Sequence, residues 1–75
     1  MNKARRASLN AILNAIIEQK DALEIVCDEE ETARDNMPES LQGTERYDNM
    51  SDAVDAMYDA IDSLDEAIEE LEGIF

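Results

Sequence analysis

Seven carboxylates recur through the second half of the chain at steps of three and four residues, about one per helical turn. They are Asp48, Asp52, Asp55, Asp59, Asp62, Glu66 and Glu69, and together we name them the acidic stripe. Each turn of a helix rises about 5.4 Å, so these charges are spaced comparably to phosphates along a nucleic-acid strand. The pattern therefore predicts a surface that binds a basic protein in the manner of a DNA mimic.

The same carboxylates could instead hold a cation, or serve only to keep the protein soluble. The sequence has no loop of alternating acidic residues that would wrap a calcium ion, and carboxylates along a straight helix diverge. Histidine is absent and Cys27 is the single cysteine, which excludes zinc-type ligand sets and Ser-His-Asp or Cys-His machinery. We expect no metal, no cofactor and no enzymatic activity, while solubility stays open as the role of the stripe.

An apolar heptad pattern runs through the same segment, on the side away from the stripe. Its members, which we name the helix seam, are Tyr47, Met50, Val54, Met57, Ile61, Leu64, Ile68 and Leu71, and the spacing continues to Phe75. Alternating steps of three and four residues are typical of a long helix that packs against another helix. The seam therefore predicts a helix over about residues 44–74.

The first half of the chain has the same helical period, and a loop separates the two halves. A regular series of Leu, Ile and Val predicts a helix over about residues 3–36. Pro38 and Gly43 predict a loop over residues 37–43, because proline lacks an amide hydrogen and glycine leaves the backbone free to turn. Thr44 is the expected N-cap of the second helix.

Two helices of nearly equal length joined by a short loop predict one all-α domain over residues 1–75, an antiparallel helical hairpin. Lys20 occupies an otherwise apolar seam position of the first helix, where we expect it to pair with a carboxylate of the second. The apolar face of the first helix is broad at its amino end, where it includes Leu9, Ile12, Leu13 and Ile16. Because one neighbour cannot cover so broad a face, we expect a homodimer that forms a four-helix bundle.

Three further features concern packing. Small residues at intervals of seven lie beside the seam and leave room for a close neighbour; they are Ala53, Ala60 and Ala67. Tyr58 lies just off the seam, where its ring is expected to cover the dimer contact with the hydroxyl in water. The antiparallel layout is expected to pair a basic amino end with the acidic carboxyl end; the basic residues are Lys3, Arg5 and Arg6.

The charge balance limits the class of partner. Twenty acidic and six basic residues give a formal net charge of −14, which disfavours direct binding to nucleic acid or to an anionic membrane and favours a basic protein. No segment approaches the roughly 20 apolar residues of a membrane span. We therefore expect a cytoplasmic protein that makes no membrane contact.

The loop and part of the acidic helix resemble a known group of sequences. The residues that carry the resemblance are Asp35–Tyr47 (DNMPESLQGTERY) and Asp59–Glu69 (DAIDSLDEAIE). They are similar to short acidic helical proteins encoded by phages and prophages of Gram-positive, often gut, bacteria. The resemblance covers about the last 40 residues and implies a small phage accessory protein, without assigning a role to any residue. By analogy with acidic phage proteins that mimic DNA, it favours interference with a host enzyme.

Three non-enzymatic functions follow from these features. The leading hypothesis is a phage-encoded inhibitor or DNA mimic that acts on a basic host nucleic-acid-binding protein. One alternative is a structural or assembly factor of a phage or mobile element that works through helical coiled-coil packing. Another is an antitoxin-like neutraliser of a basic toxin. The first and third require the acidic stripe, whereas the second requires exposed apolar residues.

Overall fold

The computed structural model describes residues Met1–Phe75 and contains two long helices that pack side by side. Helix α1 spans Lys3–Asp35, helix α2 spans Glu45–Glu72, and a single 3-10 turn at Glu39–Leu41 lies between them. The molecule measures 60 × 15 × 13 Å, and α1 and α2 contact each other along their length. Neither helix contains a stretch both apolar and long enough to span a lipid bilayer. The predicted all-α helical hairpin is confirmed.

Side-chain caps determine where both helices begin. The Oδ1 atom of Asn2 accepts a hydrogen bond of 2.8 Å from the backbone N–H of Arg5, which starts α1. The hydroxyl of Thr44 accepts one of 3.3 Å from the N–H of Tyr47 and donates one of 2.7 Å to the carbonyl of Leu41. Because the first N–H groups of a helix have no partner within it, such caps stabilise the first turn. The predicted cap at Thr44 is confirmed.

The loop contains the turn residues that the sequence indicates. Helix α1 ends at Asp35, one residue before its expected end, and Pro38 precedes the short 3-10 turn. Gly43 has a φ angle of +86°, in the region that favours glycine over every residue with a Cβ atom. This backbone conformation redirects the chain, so that α2 returns along α1.

Helix α2 ends at Glu72, two residues before its expected end. The N–H of Gly73 donates to the carbonyl of Glu69 over 3.1 Å and closes the last turn. Phe75 follows outside the helix and is 50 % exposed. The extension of the seam to Phe75 was therefore wrong. A residue beyond the end of the helix no longer follows the helical period. In addition, the first turns of α1 next to Phe75 carry the polar residues Lys3, Arg6 and Asn10.

The core is a single row of side chains between the helices. Five residues are buried: Leu13, Cys27, Val54, Ile61 and Ile68. The row is narrow because two helices enclose only the side chains that point directly at the partner. Four apolar residues of α1 were expected to lie on a broadly uncovered face. The expectation was wrong for Leu13, which is buried because it points directly at α2, while Leu9 and Ile16 are half-buried and Ile12 is 54 % exposed.

Candidate interaction surface

The acidic stripe lies on the side of α2 that faces away from α1. It combines two sets of residues that each recur at intervals of seven: the first is Asp48, Asp55, Asp62 and Glu69, and the second is Asp52, Asp59 and Glu66. All seven carboxylates are exposed. A helix turns about 100° per residue, so the two sets lie next to each other and opposite the seam. From Asp48 to Glu69 the stripe is about 32 Å long at about 1.5 Å per residue. It is a straight, continuous band of negative charge.

No internal cation neutralises this band. Four ion pairs exist in the protein, all with Lys20 or Arg34 as the cation, and their carboxylates are Glu24, Asp65, Glu31 and Asp35. None of the seven stripe residues takes part. At physiological ionic strength the field of the exposed carboxylates reaches about 8 Å into solvent. A cationic partner can therefore approach the stripe without first displacing a cation of the protein itself.

The predicted seam residues lie at the contact between the helices. Val54, Ile61 and Ile68 are buried. The other five are half-buried: Tyr47, Met50, Met57, Leu64 and Leu71. They are half-buried because a single partner helix covers only one flank of each side chain. Part of the apolar surface of α2 is consequently left beside the hairpin contact.

Lys20 joins the two helices through a carboxylate of α2. Its Nζ atom lies 2.7 Å from Oδ1 of Asp65 and 3.4 Å from Oε1 of Glu24 on its own helix. The hydrogen bond to Asp65 is the main cause that raises the pKa of Lys20 above its ordinary value. The expected pairing of Lys20 with a carboxylate of the other helix is confirmed. A polar pair at a seam position opposes sliding of one helix along the other.

Tyr58 and Glu31 form a second polar link between the helices. The hydroxyl of Tyr58 donates a hydrogen bond to Oε2 of Glu31. This bond, helped by partial burial, raises the pKa of Tyr58 to about 12. The expectation that this hydroxyl points into water was wrong, because a carboxylate of the same chain lies within reach. Glu31 directly follows the seam position Glu30 in α1, and Tyr58 directly follows the seam position Met57 in α2. This shared place beside the seam is the sequence signal that could have predicted their contact.

Cys27 lies in the middle of the core and is 1 % exposed. Its Sγ atom lies 4.0 Å from the carbonyl oxygen of Val54. Burial is the main cause that raises the pKa of the thiol, and the carboxylates of Glu31 and Asp28 add to it. A buried thiol that resists ionisation is a poor nucleophile and a poor metal ligand. Cys27 therefore acts as a small apolar core residue.

The basic amino end does not pair with the acidic carboxyl end. Three cations of the first turns take part in no ion pair, and they are Lys3, Arg5 and Arg6. Two of them line a groove with Asn10 and Phe75. The expected end-to-end pairing was wrong because exposed long side chains lose more freedom on pairing than the screened attraction returns.

The surface of the hairpin consists of exposed charged side chains and grooves between the helices. No group of three carboxylate or thiol side chains converges where a metal ion could bind. The grooves along the hairpin are shallow and open, including the one lined by Glu24, Cys27, Asp28, Tyr58 and Ile61.

Comparison of the chain with protein-family models, with curated proteins and with solved structures found no match. The kinship with small phage proteins stays a prediction from the loop and the acidic repeat. The function of this chain is therefore inferred from the geometry and charge of its two helices.

Proposed function

We propose that this chain is a non-enzymatic interaction protein whose acidic stripe binds a basic protein. The proposed partner is a nucleic-acid-binding protein. This chain inhibits that partner by mimicking the phosphate backbone of its nucleic acid. One observation carries the proposal: seven exposed carboxylates form a continuous band that no internal cation neutralises. Cationic side chains that normally contact phosphates would meet the same sign of charge in a similar linear arrangement.

The charge density supports recognition over solubility alone. From Thr44 onward the chain has eleven acidic residues and one basic residue. A net charge of magnitude about 2 to 8 suffices to keep a small domain soluble, and this protein carries −14. The excess destabilises the folded state through self-repulsion. A binding surface accounts for that excess, whereas solubility does not.

The length of the stripe also suits the proposed role. Its extent of about 32 Å is close to one turn of a DNA duplex, about 34 Å. A protein that holds one turn of duplex presents Lys and Arg side chains over a comparable distance. Because α2 is a continuous helix from Glu45 to Glu72, the charges hold a fixed spacing and need no ordering on binding.

The proposal includes a homodimer in which two hairpins form a four-helix bundle. Only five of the 75 residues are buried, and a core of that size seldom stabilises a small domain without further buried area. Ile12 and Val26 are 54 % and 51 % exposed, so apolar surface is available for a second chain. We propose the cytoplasm as the compartment in which dimer and partner meet.

A second candidate function is an assembly factor that binds through apolar contacts. Ile25 is 60 % exposed on the outer side of α1, and Leu41 is 45 % exposed in the loop. Neither position belongs to the acidic stripe or the seam. A structural partner that used these residues would bind independently of salt, which separates this candidate from the first. Neutralisation of a basic toxin uses the same chemistry as the leading proposal and differs only in the partner.

The test is affinity capture of partners at low salt, followed by release in a salt gradient. We expect the retained proteins to be basic, to elute as the ionic strength rises, and to be displaced by duplex DNA. Screening of exposed charges is the reason for the salt dependence. Partners that persist at high salt and ignore DNA would contradict mimicry and favour the assembly role.

A further inference from the structure

The acidic residues are unevenly distributed around the hairpin, and one long side has almost none. In α1, one set of positions at intervals of seven flanks the seam: Arg5, Ile12, Gln19, Val26 and Ala33. The matching set in α2 is Arg46, Ala53, Ala60 and Ala67. None of the twenty acidic residues occupies any of these nine positions. We name the surface that they form the acid-free side.

Both sets lie on the same side of the hairpin. A groove is lined by Glu30 of α1 together with Glu45, Arg46 and Ala53 of α2. Ile12 lies eighteen residues from Glu30, which is five full helical turns, so Ile12 is on the same side of α1. The opposite side holds the contact of Tyr58 with Glu31 and that of Asp65 with Lys20. The acid-free side is therefore one continuous surface made by both helices.

Six of the nine positions on this surface are apolar, and the other three are Arg5, Gln19 and Arg46. Eight of its nine positions are exposed and Ala67 is half-buried. Ile12 and Val26 expose about half of their surface, and the three alanines of α2 leave its backbone open to close approach. The next positions outward on α1 are Ala15, Ala22 and Glu29; all three are exposed, and the two alanines are small and uncharged. Nothing in the chain itself covers these residues.

We propose that the acid-free side is the surface through which a second copy of this chain binds, and this proposal rests on the dimer proposed above. Two molecules of net charge −14 repel each other through every surface that carries carboxylates. The acid-free side instead carries Arg5 and Arg46, and its acidic neighbours Glu30 and Glu45 both lie near the loop. It is the side on which two copies bring the fewest carboxylates together. A basic partner gains nothing on this side and is directed to the stripe.

The available area fits this occupant. A standard interface takes about 800 Å² from each partner. The outline of one whole side of the molecule, 60 Å long and 15 Å wide, is about 900 Å², so an interface of standard size covers nearly the full length of the hairpin. Contact through the acid-free sides covers the free flanks of Met57 and Leu64, which stand between the two flanking sets. The result is a four-helix bundle with both acidic stripes facing outward.

Charge also determines the orientation of the second copy. The half of the hairpin near the loop, residues 20–60, holds thirteen acidic and three basic side chains; the half near the termini holds seven and three. Repulsion is lower when each loop half lies against a terminal half than when the two loop halves meet. The loops therefore lie at opposite ends of the dimer, and α1 runs antiparallel to α1 of the partner.

Sedimentation equilibrium at micromolar concentration tests the surface. Ala60→Glu places a charge in the proposed interface and should weaken the dimer by about tenfold or more. Ala11→Glu is the matched control, since Ala11 is equally exposed but lies on the outer side of α1, and it should change the dissociation constant far less. A monomeric parent protein, or equal effects of both substitutions, would overturn the proposal. Circular dichroism of each variant confirms that the helices persist.

Cysteine cross-linking tests the orientation and does not depend on a destabilising change. Gln19→Cys and Ala60→Cys lie near the middle of the acid-free side of each helix. In the antiparallel dimer each should cross-link to its own copy with a short bis-maleimide, whereas Asp52→Cys on the stripe should not. The parent chain is a control for Cys27, which is buried. The two variants should also be mixed. If cross-links formed only between a Gln19→Cys chain and an Ala60→Cys chain, and not between identical chains, the antiparallel orientation would be overturned.

The response to salt distinguishes failure of this proposal from failure of the proposed function. Added salt screens the repulsion between two acidic chains and should tighten the dimer. The same salt should weaken binding of a basic protein to the stripe. A dimer that dissociates when salt is added would contradict contact through the acid-free side. Binding of a basic protein to the stripe would still be tested separately, by affinity capture.

Discussion

The ammonium group of Lys20 lies 2.7 Å from Oδ1 of Asp65 and forms the single ion pair between α1 and α2. The pair stands at a seam position, with Ile17 and Ile68 beside it in the same groove. An apolar pair in its place could shift along the helix by one heptad with little change in contact. The charged pair ties one position of α1 to one position of α2, and thereby opposes such a shift.

Asp65→Asn should lower the melting temperature by a few degrees at low salt and by less at high salt. The reason is loss of the attraction to Lys20, a term that is modest because Asp65 is about half exposed and salt screens it. Asp62→Asn is the matched control: Asp62 is exposed and takes part in no ion pair. Its replacement relieves repulsion and should leave the melting temperature unchanged or raise it. Equal effects of the two substitutions in thermal melts would contradict a stabilising pair.

The seam and the stripe should respond oppositely to changes of charge. Ile61→Asp places an unpaired carboxylate in the core and should unfold the hairpin, while Ile61→Ala should lower the free energy of unfolding by about 2 to 4 kcal/mol. Ser63→Asp adds the same charge at an exposed position of the same helix and should be tolerated. Asp55→Asn with Asp59→Asn should not lower the melting temperature. Urea titration gives the free energies of unfolding of the four variants, and thermal melts give their melting temperatures.

The cap of α2 should contribute measurably to stability. Thr44→Ala removes the hydroxyl that bonds the N–H of Tyr47 and the carbonyl of Leu41, and should cost about 1 kcal/mol. Thr44→Ser keeps the hydroxyl and serves as the control, with a much smaller loss. The difference in chemical denaturation midpoint between the two variants reports the cap directly. If serine were as destabilising as alanine, the methyl group rather than the cap would be responsible.

Stability should fall at alkaline pH as Tyr58 ionises. Folding raises the pKa of Tyr58 from 10.0 to about 12, so the bond to Glu31 contributes fully below pH 10.0 and is lost as the pH rises towards 12. The melting temperature of the parent should therefore fall more steeply over this window than that of Tyr58→Phe. In a Tyr47→Phe background, tyrosinate absorbance follows Tyr58 alone. Glu31→Gln should move its titration to lower pH, and an unchanged midpoint would contradict the assigned cause.

Binding of a basic partner should depend on the stripe and not on the fold. Replacement of four stripe residues by asparagine removes four charges and leaves the seam intact; the residues are Asp52, Asp55, Asp59 and Asp62. We expect partner affinity to fall and its salt dependence to become shallower, while the helical content is unchanged, because the lost contribution is Coulombic. Leu41→Ser is the contrasting change, since Leu41 is exposed and uncharged. If Leu41→Ser abolished binding and the fourfold change did not, an apolar assembly role would replace mimicry.

Local features of the sequence were sufficient to predict both helices, the loop and the cap. The period of apolar residues defines which side of α2 faces a neighbour, and the carboxylates at the remaining positions must then face solvent. Pro38 and Gly43 mark the turn because their backbone preferences do not depend on distant contacts. These properties arise within a few residues of chain, and a single sequence carries them completely.

The partners across the hairpin were decided by tertiary structure. From the sequence alone Lys20 could pair with any of several carboxylates of α2, and only the alignment of the two helices selected Asp65. The same alignment brought Tyr58 to Glu31 and left Phe75 half exposed beside the first turns of α1. It also placed the two acid-free flanks on one side of the molecule. Helical periodicity determines which residues share a face of one helix. Contacts between the two helices depend on how far one helix is shifted along the other. That shift is determined only when the whole row of core residues packs together.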